Sequence, residues 1–277
     1  MKEERVGAMD FQEIRTERHD DVIVIRFDRP QVRNCIGPRT AAELVEAFTQ
    51  FRDDPSLRVA VITGTGPDAF CSGADLKATK ELLPANAAEM AEHAEGRRPG
   101  YLGPTRWTDI YKPIIAAVNG AALAGGLEWA CFADIRIAEE HATFGVTCRR
   151  WNIGLADGGT VRLPRVVGYA RAMELILTGR VVDAAEALRI GLVTEVVPKE
   201  QSLPRAIELA RTLAKLPQAA MRTDKESVVR GYGLPVDEAL RLEADCFNRL
   251  IGSPDMVEGI RRFRDRDHPD LRRERKD

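Results

Sequence analysis

The chain has 277 residues, enough for one large domain or two smaller ones with an ample hydrophobic core. Its formal net charge of −2 at pH 7 provides no overall attraction to nucleic acid or to an anionic membrane surface. The five cysteines are odd in number and form no Cys-x-x-Cys pair, which argues against a disulfide framework or a zinc ribbon. With no apolar secretory segment at the N-terminus, the cytoplasm is the predicted location.

The first part of the chain alternates predicted strands and helices. Short β-branched runs predict strands at Val22 to Phe27 and Val59 to Thr63, and helical spacing predicts a helix from Thr40 to Phe51 between them. The segment from Gly64 to Ala69 matches a weak dinucleotide fingerprint, but Pro67 and the residues after it favour a continuing loop. We therefore expect no Rossmann domain.

The next stretch, Phe70 to Lys77 (FCSGADLK), combines a turn residue with a capping residue. Gly73 permits a sharp turn, and Asp75 is placed to cap a helix that begins at Leu76. Residues 80–105 are polar and rich in Ala, Glu and Pro. This composition favours a mobile helical loop able to act as a lid over a site.

The stretch from Lys112 to Asp134 (KPIIAAVNGAALAGGLEWACFAD) has one charge between its ends, that of Glu128. An ionised carboxylate is costly to bury alone, so Glu128 is predicted to be exposed, paired or retained for chemistry. Gly125 and Gly126 precede it, and two glycines at a helix start bring amide N–H groups close to a ligand. This pattern indicates an active site.

The same stretch contains a 20-residue, mostly apolar window that has to be compared with a membrane span. A mid-window carboxylate, Glu128, and the Asn119-Gly120 turn signal argue against a span. We predict instead a strand at Ile114 to Val118, a helix at Gly125 to Ala133 and a strand at Ile135 to Ala138.

The remaining pattern changes character near residue 200. Before that point, the sequence predicts a loop at Cys148 to Thr160, a helix break near Pro164, helices at Ala170 to Leu177 and Asp183 to Arg189, and a strand at Leu192 to Val197. After Pro198 every predicted element is helical: Leu203 to Leu216, Gln218 to Val229, Pro235 to Ile251 and Pro254 to Arg264. The predicted fold class is α/β, with a core at residues 9–200 and a helical region at residues 201–277.

Several segments together resemble the crotonase superfamily of enoyl-CoA hydratases and isomerases, over residues 12–265. They are FCSGADLK, KPIIAAVNGAALAGGLEWACFADIRIA, ATFG, DGGTVRLPRVVG, ILTGR and AAEALRIGLVTEVV. The resemblance implies a spiral of ββα units with a C-terminal helical region that packs in trimers or in pairs of trimers. It also implies an acyl-CoA thioester as substrate, with no separate cofactor and no metal.

The resemblance assigns roles to three residues. The thioester carbonyl would lie between the backbone N–H groups of Ala74 and Gly125, which stabilise the charge of an enolate. Glu128 occupies the position of the first catalytic carboxylate, a general acid/base at the carbons next to the thioester. The alternative for Glu128 is a buried structural carboxylate paired with an arginine.

One position departs from the family pattern. Two-carboxylate hydratases carry a second Glu shortly after the Phe-Gly of ATFG, and here that position is Cys148. A thiol is not an equivalent base for activating water. Asp157 lies in a segment that carries an Asp in some dienoyl-type isomerases of the family, so it is a candidate second carboxylate. The alternative for Asp157 is a helix N-cap.

The substrate and coenzyme A contacts implied by the resemblance come from residues 28–34, from residues 72–77 and from Gly126. The residues from Asp28 to Asn34 would wrap the adenine and the phosphates, and each cation there has the alternative of an ordinary solvated side chain. The predicted substrate and coenzyme A contacts are Arg29, Gln31, Val32, Arg33, Ser72, Asp75, Lys77 and Gly126.

The resemblance leaves three functions open. Hydration of a 2-enoyl-CoA is the first, and two carboxylates serve it well. Double-bond isomerisation is the second, because one base, Glu128, suffices for it. A non-catalytic acyl-CoA-binding protein is the third, because the second Glu is replaced by Cys148.

Overall fold

The computed structural model describes residues 11–265 of the chain. These residues form two compact units, one of residues 11–107 and 113–213 and the other of residues 108–112 and 214–265. The predicted change of composition at residue 200 therefore falls shortly before the division between the units. The predicted outer limits, 9 and 277, lie outside the described residues.

Ten strands in the described residues form two sheets. The six-stranded sheet has the order β1-β2-β3-β5-β7-β10 and is parallel except for the β1–β2 pair. The four-stranded sheet has the order β4-β6-β8-β9 and is parallel except for the β8–β9 pair. The strands are β1 (Ile14–His19), β2 (Val22–Phe27), β3 (Val59–Gly64), β4 (Ala69–Cys71), β5 (Ile114–Val118), β6 (Ala121–Leu123), β7 (Ile135–Glu139), β8 (Thr143–Gly145), β9 (Val181–Asp183) and β10 (Glu195–Val197).

The chain passes three times from a strand of the larger sheet directly to a strand of the smaller one, at β3–β4, β5–β6 and β7–β8. This alternation is the repeating ββα unit that the resemblance implied. The β5–β6 corner shows how the sequence makes the turn. Asn119 accepts hydrogen bonds from the Gly64 amide (3.0 Å) and the Thr63 hydroxyl (3.2 Å), and its side-chain amide donates to the Gly66 carbonyl at 2.6 Å.

Eleven α-helices complete the described part of the chain. They are α1 (Pro38–Asp53), α2 (Thr79–Leu82), α3 (Ala87–Ala94), α4 (Gly125–Phe132), α5 (Gly159–Val167), α6 (Tyr169–Thr178), α7 (Ala184–Arg189), α8 (Ser202–Lys215), α9 (Gln218–Gly231), α10 (Val236–Asn248) and α11 (Pro254–Arg264). Short 3-10 turns occur at Pro30–Val32, Leu76–Ala78, Pro104–Arg106 and Thr147–Trp151. Among these residues no helix has the length and apolar character needed to span a bilayer.

The predicted elements are confirmed with bounds that agree to within about three residues, apart from two exceptions. The break near Pro164 is wrong, because α5 continues through that residue. Pro164 deprives the Thr160 carbonyl of its helical hydrogen bond, and Thr160 is exposed, where water can replace that bond. The strand predicted from Leu192 is shorter, since β10 begins at Glu195.

An aromatic cluster holds the helix that carries Glu128. Trp129 is fully buried, lies 5.5 Å from Phe48 of α1 and 5.5 Å from Phe27 of β2, and donates its indole N–H to the Leu102 carbonyl. Aromatic pairs at such separations add to ordinary apolar burial. The contacts of Trp129 therefore fix α4 at the residue next to Glu128.

The contact between α4 and β4 leaves no room for a side chain at Gly126. A Cβ at this position would overlap the carbonyl oxygen of Cys71 and lie 2.6 Å from its carbonyl carbon. We expect Gly126→Ala to lower the free energy of unfolding by about 3 kcal/mol, because the backbone of β4 has to move. Urea titration of the purified variant measures this loss.

Gly154→Ala is the matched control, because nothing lies within 4 Å of a Cβ there. Its free energy of unfolding should stay within about 0.5 kcal/mol of the unaltered protein. Equal stabilities for the two variants would contradict the close approach of α4 to β4.

Candidate active site

A cavity of about 360 Å³ lies beside the start of α4. Six of the residues singled out from the sequence line it: Ser72, Ala74, Gly125, Glu128, Cys148 and Asp157. Much of the remaining lining is apolar and comes from residues 76–83, 101–102 and 151–156. Apolar walls with a few converging polar groups are typical of a small-molecule site.

The backbones around Ala74 and Gly125 approach each other closely. A Cβ on Gly73 would lie 2.8 Å from the Gly125 nitrogen, and one on Gly125 would lie 3.6 Å from the Ala74 nitrogen. Hydrogen bonds from the Ile36 amide to the Gly73 carbonyl and from the Asp75 amide to the Ile36 carbonyl fix the first segment. Ala124 fixes the second with a φ of 51°, a strained angle for a residue with a side chain.

Neither the Ala74 amide nor the Gly125 amide has an acceptor within residues 11–265. Gly125 is the first residue of α4, where backbone N–H groups have no partner within the helix. Both N–H groups belong to residues that line the same cavity. The pair is thus available to an oxygen atom of a ligand, which is the role that the resemblance implied for these two amides.

Glu128 is 3% exposed and is held by backbone donors. Its Oε1 accepts hydrogen bonds from the Asp157 and Gly159 amides, each at 2.8 Å. Burial and the neighbouring charge of Asp157 raise the pKa of Glu128 to about 7, although the two amides and Arg162 oppose the shift. Oε2 has no hydrogen-bond partner in the described residues, so one carboxylate oxygen remains for a ligand.

Asp157 is a second buried carboxylate in the same cavity. Its Oδ1 accepts hydrogen bonds from the Thr105 hydroxyl at 2.6 Å and from the Leu102 amide at 3.0 Å. Burial raises its pKa, although these two bonds oppose the shift. The N-cap alternative is wrong: Gly158 is the N-cap residue of α5, and the amide of Gly159 at that helix start donates to Glu128 rather than to Asp157.

Cys148 lies where the sequence placed the missing second Glu. It is buried in the 3-10 turn Thr147–Trp151 and lines the cavity. Burial and the charge of Glu128 raise the pKa of the thiol. The sulfur is therefore protonated at neutral pH and is a poor base for water.

The predicted coenzyme A contacts, Ser72 apart, lie away from the cavity lining. Arg29 forms an ion pair with Asp75 at 3.1 Å and donates to the Cys35 carbonyl. Asp75 also accepts from the Lys77 amide and caps the 3-10 turn, as predicted. Gly126 packs on Cys71. Gln31, Val32, Arg33 and the side chain of Lys77 are exposed, and all these contacts stay predictions.

Two groups of residues were not singled out from the sequence. Tyr101 and Leu102 line the cavity from the predicted lid segment, whose composition carried no sign of their position. Arg162 of α5 donates to the Asp157 carbonyl at 3.3 Å and packs on the Phe132 ring at 5.1 Å. An arginine inside the motif DGGTVRLPRVVG was the available signal for it.

Two unpaired backbone amides beside a buried carboxylate of raised pKa are the groups that proton transfer next to a developing oxyanion requires. The chain belongs to the enoyl-CoA hydratase/isomerase family, whose model matches residues 17–274. This result confirms the predicted crotonase superfamily.

Individual relatives agree with the family assignment. The chain is 36% identical to the crotonyl-CoA hydratase of Syntrophomonas wolfei over 92% of its length and 96% of that protein. It is 37% identical to the carnitinyl-CoA dehydratase of Citrobacter koseri, over 91% and 95% of the two chains. The crystal structure of an enoyl-CoA hydratase from Bacillus anthracis is similar with a TM-score of 0.80 and 34% identity, over 92% and 97%. These matches confirm the predicted fold.

The raised pKa of Glu128 makes stability depend on pH. Between about pH 4.5 and about pH 7, the folded protein binds more protons at Glu128 than the unfolded chain does, so stability falls as pH rises through this window. The loss attributable to Glu128 should be about 3 kcal/mol. Glu128→Gln does not titrate, so its stability relative to the unaltered protein should improve from pH 5 to pH 8 in urea unfolding experiments.

Glu258→Gln provides the control for the sign of the effect. Hydrogen bonds from Arg261 and Arg262 lower the pKa of Glu258 to about 2, so its ionisation favours the folded state at both pH values. A relative stability of Glu128→Gln that is the same at pH 5 and pH 8 would mean that Glu128 is not buried as described.

Proposed function

We propose that this chain is an enzyme of the enoyl-CoA hydratase type, which adds water to a 2-enoyl-CoA through an enolate. The observation that carries the proposal is the pair of unpaired amides, Ala74 and Gly125, in one cavity with Glu128. The names of the relatives, a crotonyl-CoA hydratase and a carnitinyl-CoA dehydratase, support the same class of reaction. Coenzyme A is part of the substrate, and the proposed reaction needs no further cofactor.

The two amides supply the main electrostatic contribution. When a nucleophile attacks C3 of the enoyl group, the electrons of the double bond move to the thioester oxygen, which the N–H groups of Ala74 and Gly125 stabilise. Loss of one such donor typically costs about 3 to 4 kcal/mol of barrier. Because the amides are fixed by the backbone, they need no rearrangement as the charge develops.

Glu128 is suited to the proton transfer at C2. A pKa of about 7 gives it both protonation states at neutral pH, so it can donate a proton to the enolate and remove it in the reverse direction. Its free Oε2 is the atom available for this step, while Oε1 is held by the Asp157 and Gly159 amides.

Asp157 is the proposed partner that receives the proton of the attacking water. It lines the same cavity, and only its Oδ1 is used by Leu102 and Thr105. Cys148 is unsuited to that role because the pKa of its thiol is raised. The hydration mechanism proposed here therefore uses Glu128 and Asp157.

Double-bond isomerisation is the second candidate, and the thiol at Cys148 favours it. Glu128 would remove a proton from C2 of a 3-enoyl-CoA and return it to C4, while Ala74 and Gly125 stabilise the enolate. This reaction requires no activated water. Asp157 would then serve only to hold residues 102 and 105.

A paired assay on one preparation separates these functions. Crotonyl-CoA and a 3-enoyl-CoA are offered to the unaltered protein, Glu128→Gln and Asp157→Asn, and the products are resolved by mass and NMR. For a hydratase, both variants should lose about a hundredfold or more of water addition, because each removes one proton-transfer group. Isomerisation that is lost only in Glu128→Gln would indicate a single-base isomerase.

The variant Cys148→Glu, combined with Asp157→Asn, extends this assay. It restores the two-glutamate pattern, so it should rescue hydration in Asp157→Asn if water activation is the missing step. If no thioester is converted but acyl-CoA still binds to Glu128→Gln, the protein is a non-catalytic acyl-CoA-binding homologue and the hydratase proposal fails.

We further propose that the protein is a homotrimer or a dimer of trimers that assembles through its C-terminal helices. Val257, Ile260 and Phe263 form an exposed apolar stripe on α11, and Val236 and Leu240 form another on α10. Contiguous exposed apolar surface of this kind is typical of an interface.

The cytoplasm remains the proposed location, and all five cysteines are free thiols, as a reducing compartment requires.

Charges placed in the stripe test the assembly. Ile260→Glu combined with Phe263→Glu should convert the trimer or hexamer to monomer in light-scattering measurements, because buried charges without partners are costly. Leu188→Glu, on the exposed surface of α7, should leave the mass unchanged. A monomeric unaltered protein would refute the proposed oligomer.

A further inference from the structure

A second cavity lies next to the catalytic one and shares part of its wall. Its volume is about 280 Å³, and its lining includes Pro38, Ala41, Ala42 and Val45 of the α1 region. Leu82, Leu83 and Tyr101 line both cavities. These three side chains therefore form the partition between the two spaces.

Tyr101 is held in the partition by a stacked neighbour. Its ring lies 3.8 Å from that of His93 of α3, with an angle of 23° between the planes. His93 is 8% exposed, and its Nε2 has no hydrogen-bond partner in the described residues. The ring of His93 thus contributes mainly a flat face against Tyr101.

The backbone beneath Tyr101 is fixed from the catalytic side. Leu102 and Thr105 donate to Asp157, and Gly103 donates its amide to the Gly100 carbonyl. A Cβ on Gly100 would overlap Oδ1 of Asp157, so the backbone has no room to shift in that direction. Any change in the partition at this point therefore involves the Tyr101 side chain rather than its backbone.

The second cavity has a mixed lining, in which the residues of the α1 region are apolar and polar surface makes up slightly more than half of the whole. Five of its residues, Pro38, Ala41, Ala42, Val45 and Pro84, present apolar side chains. Its charged residues, Glu81, Glu89 and Arg98, would offer nothing to a hydrocarbon, and Glu89 and Arg98 pair with each other at 3.3 Å. A longer acyl tail would find an apolar wall along α1 once Tyr101 gave way.

We propose that the stacked pair of Tyr101 and His93 sets the acyl chain length that the site accepts. A short 2-enoyl group ends against Tyr101 inside the catalytic cavity. A medium-length straight chain is excluded until that ring is removed, and its tail then enters the second cavity along α1. The inference rests on the proposed acyl-CoA substrate and adds the chain-length class to it.

The test compares kcat/KM for straight-chain 2-enoyl-CoA thioesters of four to twelve carbons. Tyr101→Ala should raise the ratio of ten-carbon to four-carbon kcat/KM by more than about tenfold, since each newly buried methylene contributes about fourfold. His93→Ala should shift the ratio in the same direction by less. Tyr101→Phe and His93→Phe keep the stack and should leave the ratio unchanged.

A double variant shows where the tail goes. Ala42 lines only the second cavity and is exposed, so Ala42→Phe reduces that space with little risk to folding. In the Tyr101→Ala background, Ala42→Phe should remove the gain for the ten-carbon substrate and leave the four-carbon substrate unaffected. A gain that survives Ala42→Phe, or an unchanged ratio in Tyr101→Ala, would overturn the proposal.

A binding measurement distinguishes failure of the proposed hydratase reaction from failure of the proposed chain-length role of Tyr101 and His93. If the unaltered protein converts no 2-enoyl-CoA, the same comparison is made on Kd values for saturated acyl-CoA thioesters of matching length. The partition then predicts the same change of ratio in Tyr101→Ala and its loss in the double variant. Unchanged Kd ratios would refute the chain-length role.

Discussion

The site depends on one shared acceptor, Oε1 of Glu128. It receives the amides of Asp157 and Gly159 at equal distances of 2.8 Å and so joins the first turn of α4 to the start of α5. A Cβ on Gly159 would lie 2.9 Å from Cγ of Glu128, which shows how closely the two segments meet. Without this contact, the carboxylate would be buried without a hydrogen bond from the described residues, and the turn that carries Asp157 would lose one of its anchors. The proposed catalytic group is therefore also a structural contact between α4 and α5.

The same contact explains how two acids coexist in one small cavity. Burial raises the pKa of both acids, and the charge of Asp157 adds to this shift at Glu128, whereas the backbone amides, Thr105 and Arg162 favour the charged forms. The balance places the pKa of Glu128 near neutrality, where proton donation and proton removal are equally accessible. Burial and the charge of Glu128 raise the pKa of Cys148, so its sulfur stays a thiol and is a poor nucleophile. A family member can thus replace its second Glu and still keep a pair of buried carboxylates.

Most of the longer strands and helices were predicted well from the sequence, because their apolar residues follow a clear pattern and are buried in the structure. β2 and β5 agree to the residue, since each is a β-branched or apolar run in a parallel sheet. The strands of the smaller sheet were missed because three residues are too few for any periodicity. For the site, Glu128 and its adjacent glycines were visible as an isolated charge in an apolar run. The contacts of Asp157 were not, because Leu102 and Thr105 lie more than fifty residues away in sequence.

The close contacts around Asp157 limit which amino-acid substitutions are tolerated there during evolution. Gly100, Leu102, Thr105 and Asp157 share one carboxylate oxygen and the space beside it. A substitution of Asp157 alone leaves a buried hydroxyl and a buried amide without acceptors, and a substitution of Gly100 alone meets the carboxylate. Even with the acid gone, a Cβ at position 100 would still lie 2.4 Å from the Thr105 hydroxyl, so this hydroxyl would also have to move or be replaced. These positions should consequently vary as a group among relatives, and a side chain at position 100 would mark a relative that has given up the second acid.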